Sequence, residues 1–301
     1  MGFLYPWSRV RDGHVPTPES IKAFGLELVE VLRHHSGVRA ASIYGSVARG
    51  DHTMRSDIDI AIVCVDEQLQ RVRRVVCEMR RKGAREHIIV CPYLITLTQC
   101  LTGDVRYGPS YNQTFLDLSD AETSFGNIHQ YLFLYTKDVR LEMTRKLVRN
   151  IRSLVHEHRE FCEVLKKQDA DLIDVWLEKA NLQNCQPLHL YMRFARWMLF
   201  WQHHQVNDDS KQGVVQAFLQ EQAFESFKED FCALEQIDRE YDQLLEQTKA
   251  GIVSRTTYVE QLVSFVRRAF VLSSRLLFSA VSLMGMRKPP QLTRLSEQLA
   301  A

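Results

Sequence analysis

Two aspartates, Asp57 and Asp59, stand at the head of the apolar run that continues through Ile60, Ala61, Ile62 and Val63. Side chains alternate along a strand, so the two carboxylates project from one face, roughly 6–7 Å apart along the backbone. Carboxylates that close repel unless a cation neutralises them. Hard oxygen ligands suit Mg²⁺, which keeps several waters and takes its remaining ligands from substrate phosphates. Just upstream, Gly45-Ser46 follows a short apolar stretch. Glycine lets backbone approach a ligand closely, and a helix opening at Ser46 offers free N–H groups to a phosphate. A phosphate cradle and metal carboxylates on one strand–turn–helix–strand unit suit phosphoryl or nucleotidyl transfer.

Gly45-Ser46, Gly50 and Ser56-Asp57-Ile58-Asp59 together resemble the glycine-serine and paired-aspartate signature of the DNA polymerase β-like nucleotidyltransferases, in the wording of their small bacterial branch. The signature is a small part of the chain but fixes several identities at fixed spacing. The resemblance implies two-metal transfer of a nucleoside monophosphate from ATP or another NTP, with pyrophosphate leaving. In that reading Asp57 and Asp59 bind Mg²⁺, with two ions expected. Gly45 and Ser46 hold the β- and γ-phosphates, Ser56 lines the nucleotide site, and Arg49 or Arg55 adds a charged phosphate contact. A third acidic residue commonly sits on the next strand of this family, and Glu86 is the one acidic candidate there. In the aminoglycoside adenylyltransferases, whose layout this chain resembles, a glutamate at that strand is the general base. Glu86 is therefore expected to take the acceptor proton or to complete the metal site; a surface glutamate opening a strand would read the same.

The elements that position these residues follow from periodicity and stop signals. Thr17-Pro18-Glu19 is an N-cap, a first-turn proline and a favourable acid. The helix it opens buries Ile21, Phe24, Leu28 and Leu32 and stops by Gly37. Strand one is expected over Ser42–Tyr44 and strand two over Asp57–Cys64, with Ile58, Ile60, Ile62 and Cys64 facing the core. Asp66 is read as the cap of a helix whose apolar stripe is Leu69, Val72, Val76 and Met79. Its other face is Arg71, Arg73, Arg74, Arg80, Arg81 and Lys82, a solvated face by default and an attractor of polyanions otherwise, ending at Gly83. Glu86–Cys91 reads as strand three, stopped by Pro92, with Tyr93–Leu97 as a short fourth.

From Thr102 to Gly126 periodicity is lost, and a connector this long marks a function or a boundary. Beyond it the pattern is helical: 137–167, 171–179, a helix from Pro187 that is apolar nearly all round, 214–219, 224–247 and 256–284. The fold class is thus an α/β nucleotidyltransferase domain with a small mixed sheet (1–105), a connector (106–128), an all-α helical bundle (129–288) and a polar tail (289–301). Strands followed by a helical half resemble kanamycin- and streptomycin-type enzymes, and pairs of a minimal nucleotidyltransferase with a HEPN domain.

The 301 residues balance 38 Lys+Arg against 37 Asp+Glu, so overall charge does not point to nucleic acid. The seven cysteines are scattered without a C-x-x-C pair, which suits thiols in a reducing cytosol. The N-terminus lacks a basic start and a long apolar core, so no signal peptide is expected. Arg267, Arg268 and Arg275 interrupt the most apolar late stretch and argue against a membrane span. A cytoplasmic enzyme is expected, with NTP and an unidentified acceptor in a cleft between the domains; a homodimer is compatible.

Competing chemistry is weaker. Arg149 and His156 fit the loose arginine–histidine pattern of HEPN ribonucleases, which rests on common surface residues. His34-His35 and His203-His204 diverge by about 100° on a helix and make poor zinc pairs. The acidic run Asp169, Asp171, Asp174 and Glu178 would line a cleft or simply face solvent. Antibiotic, protein and RNA acceptors all suit the site, and a toxin–antitoxin module acting on a partner is the alternative.

Overall fold

The computed structural model describes residues 3–102, 124–128, 131, 139–167, 169–182, 187–203, 208 and 210–285. Most of the expected connector and the whole polar tail lie outside the described residues. The chain divides into two compact units, one spanning Val15–Lys137 and the other combining the N-terminal segment up to His14 with residues from Asp138 onward.

Among the described residues the first unit is built on a four-stranded mixed sheet of order β3-β2-β1-β4, where β1 is Val38–Tyr44, β2 Ile58–Cys64, β3 Val90–Thr96 and β4 Ser124–Phe125. β2 runs antiparallel to β1 and parallel to β3. The parallel pairing follows from the connection, since helix α4 (Leu69–Arg85) carries the chain back over the sheet between β2 and β3. One sheet face is covered by α2 (Pro18–Arg33) and α4, which bury Ile21, Phe24, Leu28, Val72 and Val76 against Ile58, Ile60, Ile62 and Cys64. The other face buries Ala61 and Val63 with Ala40, Ile95 and Cys100. The alternation expected along β2 is therefore the one observed, and β2 is apolar on both faces because both are covered.

Local signals account for the ends of α2. Thr17 Oγ1 accepts from the Ser20 N–H at 3.1 Å, and Ser20 Oγ accepts from the Thr17 N–H at 3.0 Å, a reciprocal capping box.

Four expectations need correction. Strand three does not begin at Glu86: α4 runs past Gly83 to Arg85 and closes in a Schellman turn. His87 sits at φ +61°, its N–H bonds the Ala84 carbonyl at 3.3 Å, and the Ile88 N–H bonds the Gly83 carbonyl at 2.8 Å. Those residues serve the helix stop, so the strand starts at Val90. Pro92 does not end it either, because among the described residues β3 is an edge strand, where a residue without an N–H is tolerated. The expected short fourth strand from Tyr93 is the continuation of β3. Nor does Asp66 cap α4. It lies in a 3₁₀ turn, Asp66–Gln68, and its Oδ2 accepts from the Thr98 N–H at 3.1 Å at the start of α5 (Leu97–Thr102).

The second unit is helical. It comprises the short α1 (Trp7–Arg11), α6 (Val139–Lys166), α7 (Ala170–Leu182), α8 (Leu190–His203), α9 (Lys211–Gln220), α10 (Lys228–Lys249) and α11 (Arg255–Leu283). α8 is the expected central helix, with every residue from Leu190 to Phe200 buried except Arg193. Phe194, Phe218, Phe224, Phe227 and Phe231 pack ring on ring around it, with centroids 4.5–6.2 Å apart in the contacting pairs. The N-terminal segment completes this core. The Tyr5 N–H donates to Tyr241 Oη at 2.7 Å, Tyr258 Oη donates to the Tyr5 carbonyl, and the Trp7 ring lies 5.7 Å from that of Tyr258. Among the described residues no helix is long and apolar enough to cross a membrane.

Candidate active site

The site is assembled from β1, the turn after it, and the leading ends of β2 and β3. β1 delivers the chain to Gly45, which adopts φ +78°, ψ −152°, and the four-residue helix α3 (Ser46–Arg49) opens directly after it. That backbone conformation is one that essentially only glycine occupies. Gly50, at φ +77°, ends α3. The chain then returns through a tight turn in which the Ser56 N–H bonds the Thr53 carbonyl at 2.9 Å and Ser56 Oγ accepts from the Thr53 N–H at 3.0 Å. His52 Nε2 lies 3.0 Å from the Pro18 carbonyl and ties this turn to α2.

Asp57 ends the turn, 1% exposed, and Asp59 follows on β2, partly exposed. β2 and β3 pair so that Asp59 stands opposite Cys91, while Ile58 stands opposite Val90 in the core. Paired residues on neighbouring strands share a face. One ligand atom each from Asp57, Asp59 and Cys91 therefore converges, all within 4.8 Å of one another. Burial first, and then the charges of Asp57 and Asp59, hold the Cys91 thiol well above the range of a free cysteine. Tyr44, opposite Asp59 on β1, is kept protonated by burial first and by Asp59 next.

The glycine turn lies close beside the Asp59 carboxylate. A Cβ added at Gly45 would come within 3.0 Å of Asp59 Oδ2, so the residue that shapes the turn also makes room for the carboxylate. This donor set fits a divalent cation: two carboxylates on one face supply hard oxygen ligands, and a bare backbone at Gly45 leaves room beside them.

The remaining expected site residues divide. Ser46 opens α3, next to Gly45 and half-buried. Arg49 Nε pairs with Asp51 Oδ2 at 3.4 Å, with the Arg49 side chain only 14% exposed. Arg55 is buried, at 2% exposure. Ser56 is in the unit as expected, with its hydroxyl engaged in holding the Thr53–Ser56 turn. Glu86 is not on β3. It is the exposed C-cap residue of α4 and lies outside the converging group. The residue that the fold brings beside Asp59 is Cys91, which periodicity alone did not single out. The run Ile88-Ile89-Val90 is apolar throughout, so its parity is visible only once the pairing with β2 is known.

Elsewhere, Arg149 and His156 lie exposed on α6, with His156 Nε2 3.3 Å from Glu160 Oε1. Much of the acidic run is occupied inside its own unit: Asp171 pairs with Arg255, and Glu178 with Arg9 at 3.2 Å. His34 Nδ1 lies 3.3 Å from Glu30, and His203 Nε2 lies 2.6 Å from Glu221.

Residues 27–93, which hold β1, α3, β2 and the head of β3, match the family model described as Polymerase beta, Nucleotidyltransferase. No curated protein matches the chain.

Proposed function

We propose, from the premise that residues 27–93 are a nucleotidyltransferase domain of the polymerase β type, that the protein transfers a nucleoside monophosphate from an NTP, with ATP as first choice, to an acceptor hydroxyl. The acceptor is a small molecule such as an aminoglycoside, a protein side chain or an RNA end. The observation that carries this reading is the contact of two elements, the glycine turn at Gly45 and the carboxylate of Asp59, within one short unit.

Asp57 and Asp59 would hold Mg²⁺. The bound ion supplies charge neutralisation at the phosphate oxygens and Lewis acidity at the reacting phosphorus. Gly45, lacking a side chain, lets the triphosphate approach the α3 backbone, and the first N–H groups of α3 and the Ser46 hydroxyl bind it. Arg49 contributes positive charge beside that path. Ser56 orients the site indirectly by fixing the turn that aims Asp57. Tyr44, protonated, keeps a hydrogen-bond donor beside Asp59.

Incubation of the full chain with each α-labelled NTP and cell lysate, followed by separation of protein, RNA and small molecules, identifies both nucleotide and acceptor. Label is expected in one fraction, dependent on Mg²⁺, and reduced by several orders of magnitude in Asp57→Asn and in Asp59→Asn. Full transfer by the double variant Asp57→Asn/Asp59→Asn would remove the assignment.

A further inference from the structure

Cys91 stands where the register of β2 and β3 puts a third donor beside the two aspartates. Sulfur is not a ligand that Mg²⁺ selects, whereas Zn²⁺ and its heavier analogue Cd²⁺ take cysteine sulfur together with carboxylate oxygen. Three protein ligands and one open position are the usual arrangement of a zinc site that also receives a water or a substrate group. Asp57, Asp59 and Cys91 supply three ligands, and the partial exposure of Asp59 and Cys91 leaves a side open. Among the described residues they are the one such group of three.

We propose that Asp57, Asp59 and Cys91 together form a site for a thiophilic divalent cation of the Zn²⁺ class, with Cys91 Sγ as a direct ligand. The inference rests on the nucleotidyltransferase reading and extends it: the same carboxylates serve two kinds of ion, and the sulfur favours one of them. Ligand atoms around a tetrahedral zinc lie about 3.5 Å apart, so the three groups need to close by about 1 Å, within reach of side-chain rotation. On binding, the sulfur–metal bond replaces the S–H bond, and the proton leaves to solvent. No oxidant or reductant is involved. An ion held this way competes with Mg²⁺ for the two carboxylates, since a thiolate selects zinc whereas Mg²⁺ is suited to carboxylate, carbonyl and water oxygens alone.

The test uses the full chain, reduced and metal-free, titrated with Cd²⁺ alone while the ultraviolet thiolate-to-cadmium charge-transfer band is recorded. A band that saturates at one ion per chain and is displaced by Zn²⁺ is expected. Cys91→Ser should remove it and weaken Cd²⁺ binding about a hundredfold or more, since loss of even an outer-shell partner costs about 10–100-fold. Cys77→Ser and Cys232→Ser, at exposed positions, should retain it. Asp59→Asn should keep the band but require more Cd²⁺ to saturate it. Cys91→Asp provides a second variant with a carboxylate ligand. It should lose the band and bind Mn²⁺, read by electron paramagnetic resonance, more tightly than the wild type does. No band in the wild type, or a band that survives both Cys91 substitutions, overturns the proposal. Mg²⁺-dependent transfer measured on the same preparations separates the two readings. Transfer without a band removes the sulfur ligand and leaves the enzyme; a band without transfer does the reverse.

Discussion

At the scale of single residues, Gly45 has two duties that one substitution exposes. Its backbone lies in a region where any side chain is strained by about 1–3 kcal/mol, and a Cβ there would press on Asp59. Gly45→Ala is therefore expected to lower thermal stability by that amount and to weaken Mg²⁺ as well as nucleotide binding, both measurable by calorimetry. Nucleotide affinity lost with Mg²⁺ affinity intact would mean that the turn does not constrain the carboxylate. Glu86 gives the opposite expectation. It is the exposed cap of α4 and not a member of the group formed by Asp57, Asp59 and Cys91. Glu86→Gln should leave turnover and its Mg²⁺ dependence near wild type; a fall of ~10²–10⁴-fold, the usual contribution of a positioned base, would restore it to the mechanism.

At the scale of elements, α6 carries an uncompensated acid. Glu157 is 3% exposed, its Oε2 has no hydrogen-bond partner among the described residues, and burial raises its carboxyl from 4.5 to about 8, against the opposing pull of Arg193. The folded state thus holds a proton that the unfolded chain releases near 4.5. Stability from this group is complete below that value and is lost as pH rises through about 8, by up to about 5 kcal/mol. Glu157→Gln, which mimics the protonated acid, should flatten this decline in thermal unfolding followed across that window. A variant with the same slope as wild type would locate the titration elsewhere.

At the scale of the whole molecule, the N-terminal segment and the helices α10 and α11 belong to one compact unit. Tyr5, 1% exposed, is held between Tyr241 of α10 and Tyr258 of α11, although well over two hundred positions separate them. Deleting so large a buried ring costs about 3–5 kcal/mol by comparison with other aromatic truncations. Tyr5→Ala is expected to lower the unfolding temperature of the helical unit while NTP binding by the first unit is retained. Equal destabilisation of both units in a domain-resolved hydrogen-exchange experiment would refute that independence.

The signature around Gly45 and Asp57 was legible in the sequence because its chemistry is local. A glycine turn, a short helix and two carboxylates at strand spacing are all set within the fifteen residues from Gly45 to Asp59. The helical half was legible for a similar reason, since periodicity reports a buried stripe wherever its partner lies. The third site residue was not. Whether Glu86 or Cys91 stands beside Asp59 depends on where α4 stops and in which register β3 pairs with β2. The stop is a left-handed turn at His87 rather than at the preceding Gly83, a conformation uncommon for any residue but glycine, and the register is a tertiary contact. A shift of one residue exchanges the two faces of a strand. The sequence by itself determined which chemistry the first two carboxylates offer, and the pairing of two strands decided that a thiol joins them.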